Sequence, residues 1–494
     1  MNSFQRKSLY AALAGVGALG VTGAADAVNV NPNGLGQALI YPYYTVNADG
    51  SGNAYNSLLS VVNTTNSAKA VKVRFLEGKN SREVLDFNLF LSKNDVWTAA
   101  IVPSSSGGAA VVSFDKSCTI PANSAFAPPG ADFVNFAYTG SNDDKGGSGL
   151  DRTKEGYVEI IEMATFPTYT CTSIQVTHVG GVPFDCAGVS DGGAASDQAP
   201  ASGGLFGGMS LINVGAGTDY TEDAVALQRF NTNANYQPAG SVSPQLTDSS
   251  PKVSVVFAAE PNPAPPIFFS DLGVYASDWS DQTLYNPADP VSATLMHDAV
   301  MNEYVLDAGT NSGTDWVVTF PTKRFYVNTG TGNAPRLFQR NFNDGAGACD
   351  DVTLNIYDRE ERTSSTPTTF SPPPPTLTNS ICWEANIITF NNSNVLASQN
   401  VSNINTSFED GWLRLGFARS TSSPVHTLGN ITATTHTWGV SGFSTGLTKT
   451  YLGLPVVGFA VQSFANGTLV VGGTNVLANY GGNFVHKTTT TIIN

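Results

Sequence analysis

Between residues 56 and 102 apolar side chains recur at every second position, and this period constrains the fold more than any other feature of the chain. Leu59 and Val61 begin the alternation, and Asn63-Thr64-Thr65-Asn66 interrupts it. Val71, Val73 and Phe75 then share one face, with Lys72 and Arg74 on the other. After Gly78-Lys79-Asn80, Leu85, Phe87, Leu89 and Leu91 resume a single face, with Asp86 and Asn88 opposite. Lys93-Asn94-Asp95 turns again, and Trp97, Ala99 and Ile101 continue the pattern. Successive residues of a strand point to opposite faces, so this spacing calls for strands and not helices. Four such runs, each bounded by turn residues, predict an antiparallel sandwich sheet buried on one face only. The expected fold class is all-β dominated: immunoglobulin-like antiparallel β-sandwich domains with one or two short helices, without the cysteine pair that marks antibody domains.

The later chain carries the same signal less regularly. A strand-rich region is expected from Val253 to Asp358. In it Trp316-Val317-Val318-Thr319-Phe320 and Arg324-Phe325-Tyr326-Val327 flank a turn or bulge at Pro321, and Val352, Leu354 and Ile356 alternate with polar partners. The best helix candidate starts at Asp289-Pro290, an N-cap followed by proline at the first helical position. Val291, Leu295, Met296 and Ala299 follow at helical spacing. Short apolar runs recur at Trp412 to Phe417, Val456 to Val461 and Thr468 to Val471. Residues 188–208, rich in Gly, Ser and Ala, and residues 364–379, centred on Ser371-Pro372-Pro373-Pro374-Pro375, read as loops. The second is a stiff polyproline connector. No repeat of fixed period is present, which disfavours solenoids and propellers.

The chain has 494 residues, more than one ordinary core accommodates, so two or three domains are expected. The expected divisions are a signal peptide over 1–27, an N-terminal β-sandwich region over 28–245 and a C-terminal β-rich region over 246–494. The signal reading rests on Arg6 and Lys7, an apolar run from Ser8 to Gly23, and Ala25-Asp26-Ala27. That run, rich in Gly and Ala, is short for a retained anchor, which needs roughly 20 strongly apolar residues. No transmembrane segment is expected in the mature chain. Disulfides are the default for cysteines in an oxidising destination. Of Cys118, Cys171, Cys186, Cys349 and Cys382, the pair Cys349–Cys382 is expected, Cys186 joins either Cys171 or Cys118, and one remains over or pairs between chains. The net charge of −15 disfavours nucleic acid as a partner.

Few residues offer chemistry. Gly188-Val189-Ser190-Asp191-Gly192 matches G-x-S-x-G, but no helix pattern follows to form the elbow that exposes such a serine. His178, His297, His426, His436 and His486 form no metal motif and read as polar positions on strands or the surface. Glu159 and Glu162 are oddly spaced and fall on opposite faces of a strand. Asp358, Glu360 and Glu361 with Arg359 and Arg362 read as a solvated charge cluster, and Glu409-Asp410 as a turn before a strand. Calcium is the one cofactor considered, at Asn142-Asp143-Asp144 with Asp151 or at Asp344 with Asp350-Asp351. Neither follows the EF-hand register. No catalytic, cofactor-binding or metal-binding residue is therefore assigned.

Several phrases resemble a group of uncharacterised exported proteins of Gram-negative bacteria. They are Gly34-Leu35-Gly36-Gln37 with Tyr41-Pro42-Tyr43-Tyr44-Thr45, Lys72-Val73-Arg74-Phe75 through Asp86-Phe87-Asn88-Leu89, and Asp95-Val96-Trp97-Thr98. Asp315 through Phe325, the Ser371–Pro375 run and Cys382-Trp383-Glu384-Ala385-Asn386 complete the set. The resemblance implies a whole-length family and export, and brings no activity. The expected function is an exported, non-enzymatic structural or adhesive protein of the cell surface or medium, such as a surface layer, sheath, filament or coat component. It would associate with itself or with other surface components, with the periplasm as a second location. The alternative is a secreted carbohydrate-binding protein or glycosidase, in which Tyr41, Tyr43, Tyr44, Trp279, Trp383 and Trp438 stack on sugars if exposed.

Overall fold

The computed structural model describes residues 26–191, 195–259, 272–327, 337–338, 340–342, 347–363, 370–371, 379–417, 426–430 and 449–493. The expected signal segment apart from Asp26 and Ala27, the prolines of the Ser371–Pro375 run, and Asp344, His436 and Trp438 lie outside them.

The fold is all-β dominated, with short α-helices at Cys171–Val176, Asp289–Leu295 and Arg324–Val327. Each alternating run of the 56–102 region becomes a strand: Asn56–Asn63, Ala68–Glu77, Glu83–Leu91 and Val96–Pro103. They do not form one sheet. Ala68–Glu77 and Glu83–Leu91 belong to a seven-stranded sheet with Ala38–Thr45 and Glu155–Phe166, whereas Asn56–Asn63 and Val96–Pro103 belong to the sheet facing it. The chain crosses between sheets at the two turns, and Asn63 ties these together by donating to the Ser67 and Ser92 carbonyls at 2.8 and 2.7 Å. Leu39, Tyr41, Val73, Phe75 and Phe87 from one sheet meet Leu59, Val61, Trp97 and Ile101 from the other in a single core.

Burial on one face holds for Asn56–Asn63 and Val96–Pro103, where buried and open positions alternate. It does not hold for Ala68–Glu77 or Glu155–Phe166, which are buried along their whole length on both faces. Irregular chain covers the outer face of that sheet. Phe230, Leu246 and the helix residues Val291 and Leu295 pack on Ile40, Leu76, Tyr157, Ile161 and Leu227 of the sheet. Val176 and Val189 pack on Ala70, Phe90 and Phe166. Such covering segments have no period, so the alternating pattern alone suggested solvent.

The second half stacks further sheets. A six-stranded sheet contains Ala385–Phe390, Gly313–Thr319, Val457–Val471 and Thr474–Val485, and a five-stranded one contains Asp350–Asp358, Asp410–Gly416 and Ala299–Val305. Val317, Ile387 and Phe459 of the six-stranded sheet enter the core of the first half. On its other face Trp316, Val318, Ile388 and Phe390 meet Tyr304, Leu413 and Leu415. The chain regions divided near residue 245 therefore share a core.

Two local expectations change. Arg324–Val327 is one helical turn and not a strand; Pro321 ends the preceding strand, and the Tyr326 N–H bonds back to the Lys323 carbonyl at 2.9 Å. The Asp289 helix ends at Leu295, with Met296 and Ala299 passing into strands. Asp289 does not cap it but accepts from the Asn286 N–H and the Tyr326 hydroxyl at 2.8 and 2.6 Å. Within residues 188–208, Ala195–Asp197 forms a 3-10 turn and Leu205–Phe206 a short strand, additions to the expected loop.

Cys349–Cys382 and Cys118–Cys186 are bonded, and Cys171 is free and exposed. Spanning 33 and 68 residues, each bridge stabilises the fold by about 4 kcal/mol in the loop-entropy account. No helix among the described residues is long and apolar enough to cross a membrane.

Candidate functional site

Carboxylates with perturbed pKa values cluster at functional sites, and this chain buries several carboxylates, Glu159 and Glu162 among them. Glu159 and Glu162 do fall on opposite faces, opposite Arg74 and Val71 respectively. Arg74 Nη1 donates to Glu159 at 2.6 Å and Nε to Glu83 at 2.7 Å. Burial raises the Glu159 pKa even against the neighbouring Arg74 and Arg324. Glu162 accepts from Lys69 Nζ at 2.7 Å, from the Thr165 hydroxyl at 2.8 Å, and from the Ser202 and Gly203 N–H groups at 3.0 and 2.8 Å. Its lone pairs fasten the Gly/Ser loop and leave no base for a reaction.

A second cluster surrounds the turn after Ala68–Glu77. Arg152 donates to Glu77 at 2.7 and 2.9 Å and to both oxygens of Asp144 at 2.7 Å. Burial raises Asp144, but hydrogen bonds from Arg152 and Asn80 outweigh it and hold the carboxyl below its usual pKa. Asp143 pairs with Lys145, Asp350 with Lys323 at 2.9 Å and Asp351 with Arg340 at 3.5 Å. Cations of the chain itself thus pair with Asp143, Asp144, Asp350 and Asp351; Asp151 has no ion pair among the described residues, and Asp344 lies outside them. Among the described residues no group of three or more His, Cys, Asp or Glu is placed to hold a metal.

Here the two halves interlock. The Ala385 and Glu384 N–H groups donate to the Gly78 and Lys79 carbonyls at 2.8 and 3.2 Å. Thr319 donates to the Pro42 carbonyl at 2.7 Å, and Arg324 to the Ser81 carbonyl at 2.8 Å. Tyr157 bonds Ser81 and the Pro321 carbonyl, while Glu155 accepts from Tyr43, Ser398 and the Gln399 N–H. Burial drives the Glu384 pKa well above the carboxylate range, opposed by Lys323 and Arg324. Residues of Tyr41–Thr45, Asp315–Phe325 and Cys382–Asn386 thus meet at one seam. It is closed, and its work is to join the halves.

The described aromatic residues considered for sugar stacking are buried or half-buried. Tyr41, Tyr43, Tyr44 and Trp279 are buried in the cores and present no open ring. Trp383 is half-buried, with Lys79 Nζ 5.4 Å from its ring centre. Ser190 is exposed in a loop, and among the described residues it is followed by the 3-10 turn Ala195–Asp197 and not by an α-helix. Ser92 and Asp95 flank His178, at 3.2 and 3.7 Å, but both face the same nitrogen, Nδ1, so no proton relay exists. His426 is buried between the Leu337 and Asp351 carbonyls. Burial lowers His297 and His486 to about 4, so both stay neutral. Arg359 and Arg362 pair with Glu360, Asp358 and Asp410 at the surface, as expected of a solvated cluster.

Two features escaped the sequence reading. The first is a cleft of about 600 Å³ where the halves meet at their open edge. Asp49–Ser51, Tyr55, Asn213, Ala216, Thr218 and Tyr220 form one wall; Leu306, Asn311–Gly313, Phe390–Val395, Ser463, Ala465 and Asn479 form the other. Asp315 holds the second wall by accepting from the Leu396 N–H and the Ser393 hydroxyl at 2.9 and 2.8 Å. Its burial raises its pKa to about 7. The second is the hairpin Val457–Val471 and Thr474–Val485. From Val457 to Val485 the sequence has no Asp, Glu, Lys, Arg or Pro. Among the described strands Thr474–Val485 pairs on one side only, and Val470, Val471, Val476, Tyr480, Phe484 and Val485 are exposed. No protein-family model, curated protein or solved structure matches the chain.

Proposed function

We propose that this chain is an exported, non-enzymatic structural or adhesive protein of the cell surface, which assembles by pairing the Thr474–Val485 edge with the same edge of a second copy. The observation that carries the reading is an edge strand of 12 residues with no charge, in a chain of net charge −15. Monomeric proteins commonly blunt long edges with lysine, proline or inward charges, because the open N–H and C=O groups template further pairing. This edge has none of those devices. Two copies related by a two-fold axis would meet along strands that carry no charge, with Glu222, which accepts from Asn483, the acidic side chain bonded beside them. The two disulfides suit an oxidising destination, and the resemblance to exported proteins points the same way.

Sedimentation and electron microscopy of the purified mature protein test this directly. Dimers or longer assemblies that dissociate in the Tyr480→Lys variant are expected. A wild-type protein that stays monomeric throughout the micromolar range sinks the proposal.

A further inference from the structure

We infer that the cleft between the two halves is a binding site for a neutral, polyhydroxylated ligand, a short glycan segment. This does not depend on edge pairing.

The lining sets the ligand class. Its volume of about 600 Å³ lies within the range of small-molecule sites. No lysine or arginine lines it, so nothing in it recognises phosphate or carboxylate. Its one charged residue, Asp49, is already engaged. Its carboxylate accepts from the Ser51 and Asn53 N–H groups at 2.9 Å and from the Asn53 and Asn213 amides at 3.2 Å. The remaining polar lining consists of amides and hydroxyls. These both donate and accept, as do the hydroxyl groups of a sugar.

The base of the cleft has unmet hydrogen-bonding capacity. Thr218 is 8 % exposed and Tyr220 1 %, yet the Thr218 Oγ1 and Tyr220 Oη atoms complete no well-formed hydrogen bond, although they stand near each other and near the Tyr55 and Ser463 hydroxyls. Asn479 spends its Nδ2 on the Ala216 carbonyl at 2.7 Å, and its Oδ1 is buried without a partner. Leaving such atoms unsatisfied costs about 1–3 kcal/mol each, so three of them around one cleft mark a place where a ligand gains what folding left unused.

The walls are prearranged. Asn391, Asn392 and Asn394 adopt φ of 51°, 61° and 41°, a left-handed conformation that asparagine tolerates and most residues resist. Asp315 pins that loop from behind. On the opposite side Gly481 brings the hairpin against the Thr218–Asp223 strand. A Cβ there would lie 2.9 Å from the Tyr220 ring and 3.0 Å from the Asp219 carbonyl oxygen.

Calorimetric titration of the full mature chain with maltotetraose, cellotetraose and chitotetraose, and with tetragalacturonate as the charged control, tests the inference. Saturable binding of at least one neutral tetrasaccharide is expected, with no binding of the charged control. Tyr220→Phe and Thr218→Val each remove an unpartnered hydroxyl, so their melting temperatures should equal or exceed wild type. Each should weaken binding by about tenfold, the loss of one buried hydrogen bond. No binding of any neutral sugar, equal binding of tetragalacturonate, or unchanged affinity in both variants overturns the assignment.

Discussion

The seven-stranded sheet of the first half and the six-stranded sheet of the second are both covered on both faces, but they accommodate burial differently. The first buries charge in pairs. Lys69, Lys72, Arg74, Glu77, Glu159 and Glu162 all lie within it, fully or nearly fully buried, each against a partner on a neighbouring strand or covering segment. The second is covered by other sheets, and its strands carry one charged residue, Asp315, among apolar, hydroxyl and amide side chains. Asp315 faces no cation; it is held by an N–H group and a hydroxyl, and its pKa climbs accordingly. In the first sheet most of the opposite charges stand on the adjoining strand, so cation and carboxylate meet across the strand pairing, and Arg152 is the one partner supplied from outside the strands. A face covered by a regular sheet has regular apolar neighbours and leaves a carboxylate to neutral donors.

The largest effect expected from this contrast is at Arg74. Replacing Arg74 with Met strands Glu159 without its cation in a dry interior and should destabilise the protein by about 3–5 kcal/mol, measured by urea unfolding. The double variant Arg74→Met, Glu159→Met should recover much of that loss, because removing a whole buried pair is far less harmful than removing half of it. A double variant as unstable as the single one breaks the contrast.

Next is the pH response of Asp315. Its carboxyl is raised from the ordinary value to about 7 in the folded state, so between about pH 4 and 7 the folded form holds a proton that the unfolded form has released. Its contribution to stability is present at pH 4 and lost as the pH rises through 7. The melting temperature of wild type relative to Asp315→Asn should therefore fall over that interval. A constant difference across it contradicts the burial assigned to Asp315.

Smaller still, Ile388→Val in the apolar sheet should lower stability by about 0.5–1.5 kcal/mol, with the same loss at pH 5 and pH 8. Last, in protein dilute enough to be unassembled, Tyr480→Lys on the exposed hairpin should shift stability by no more than about 0.5 kcal/mol, because it disturbs neither cover. Circular dichroism melts measure both.

The strands of residues 56–102 and their turns were legible because period-2 alternation is a local consequence of backbone geometry. So were Cys349–Cys382, Asp350–Asp358 and the opposite facing of Glu159 and Glu162. Lys72 and Arg74 were legible as a face but not as a buried one. What covers them is the 229–250 segment, whose Pro238 carbonyl accepts from Lys72 Nζ at 3.3 Å from 166 residues away. Tyr41, Tyr43, Tyr44 and Trp279 could not be assigned to core or surface from sequence, since an aromatic ring suits both. The cleft was invisible, because Thr218, Tyr220, Asn391 and Asn479 come from four separate stretches and share no spacing.

Sequence alone determined that the chain forms strands, where it turns and which residues share a face, since each follows from neighbouring positions along the backbone. Tertiary structure alone decided which polar faces go dry, which cysteine stays free and where the two halves leave a gap. Those outcomes depend on segments hundreds of residues apart, brought together by burial and hydrogen bonding that leave no period in the chain.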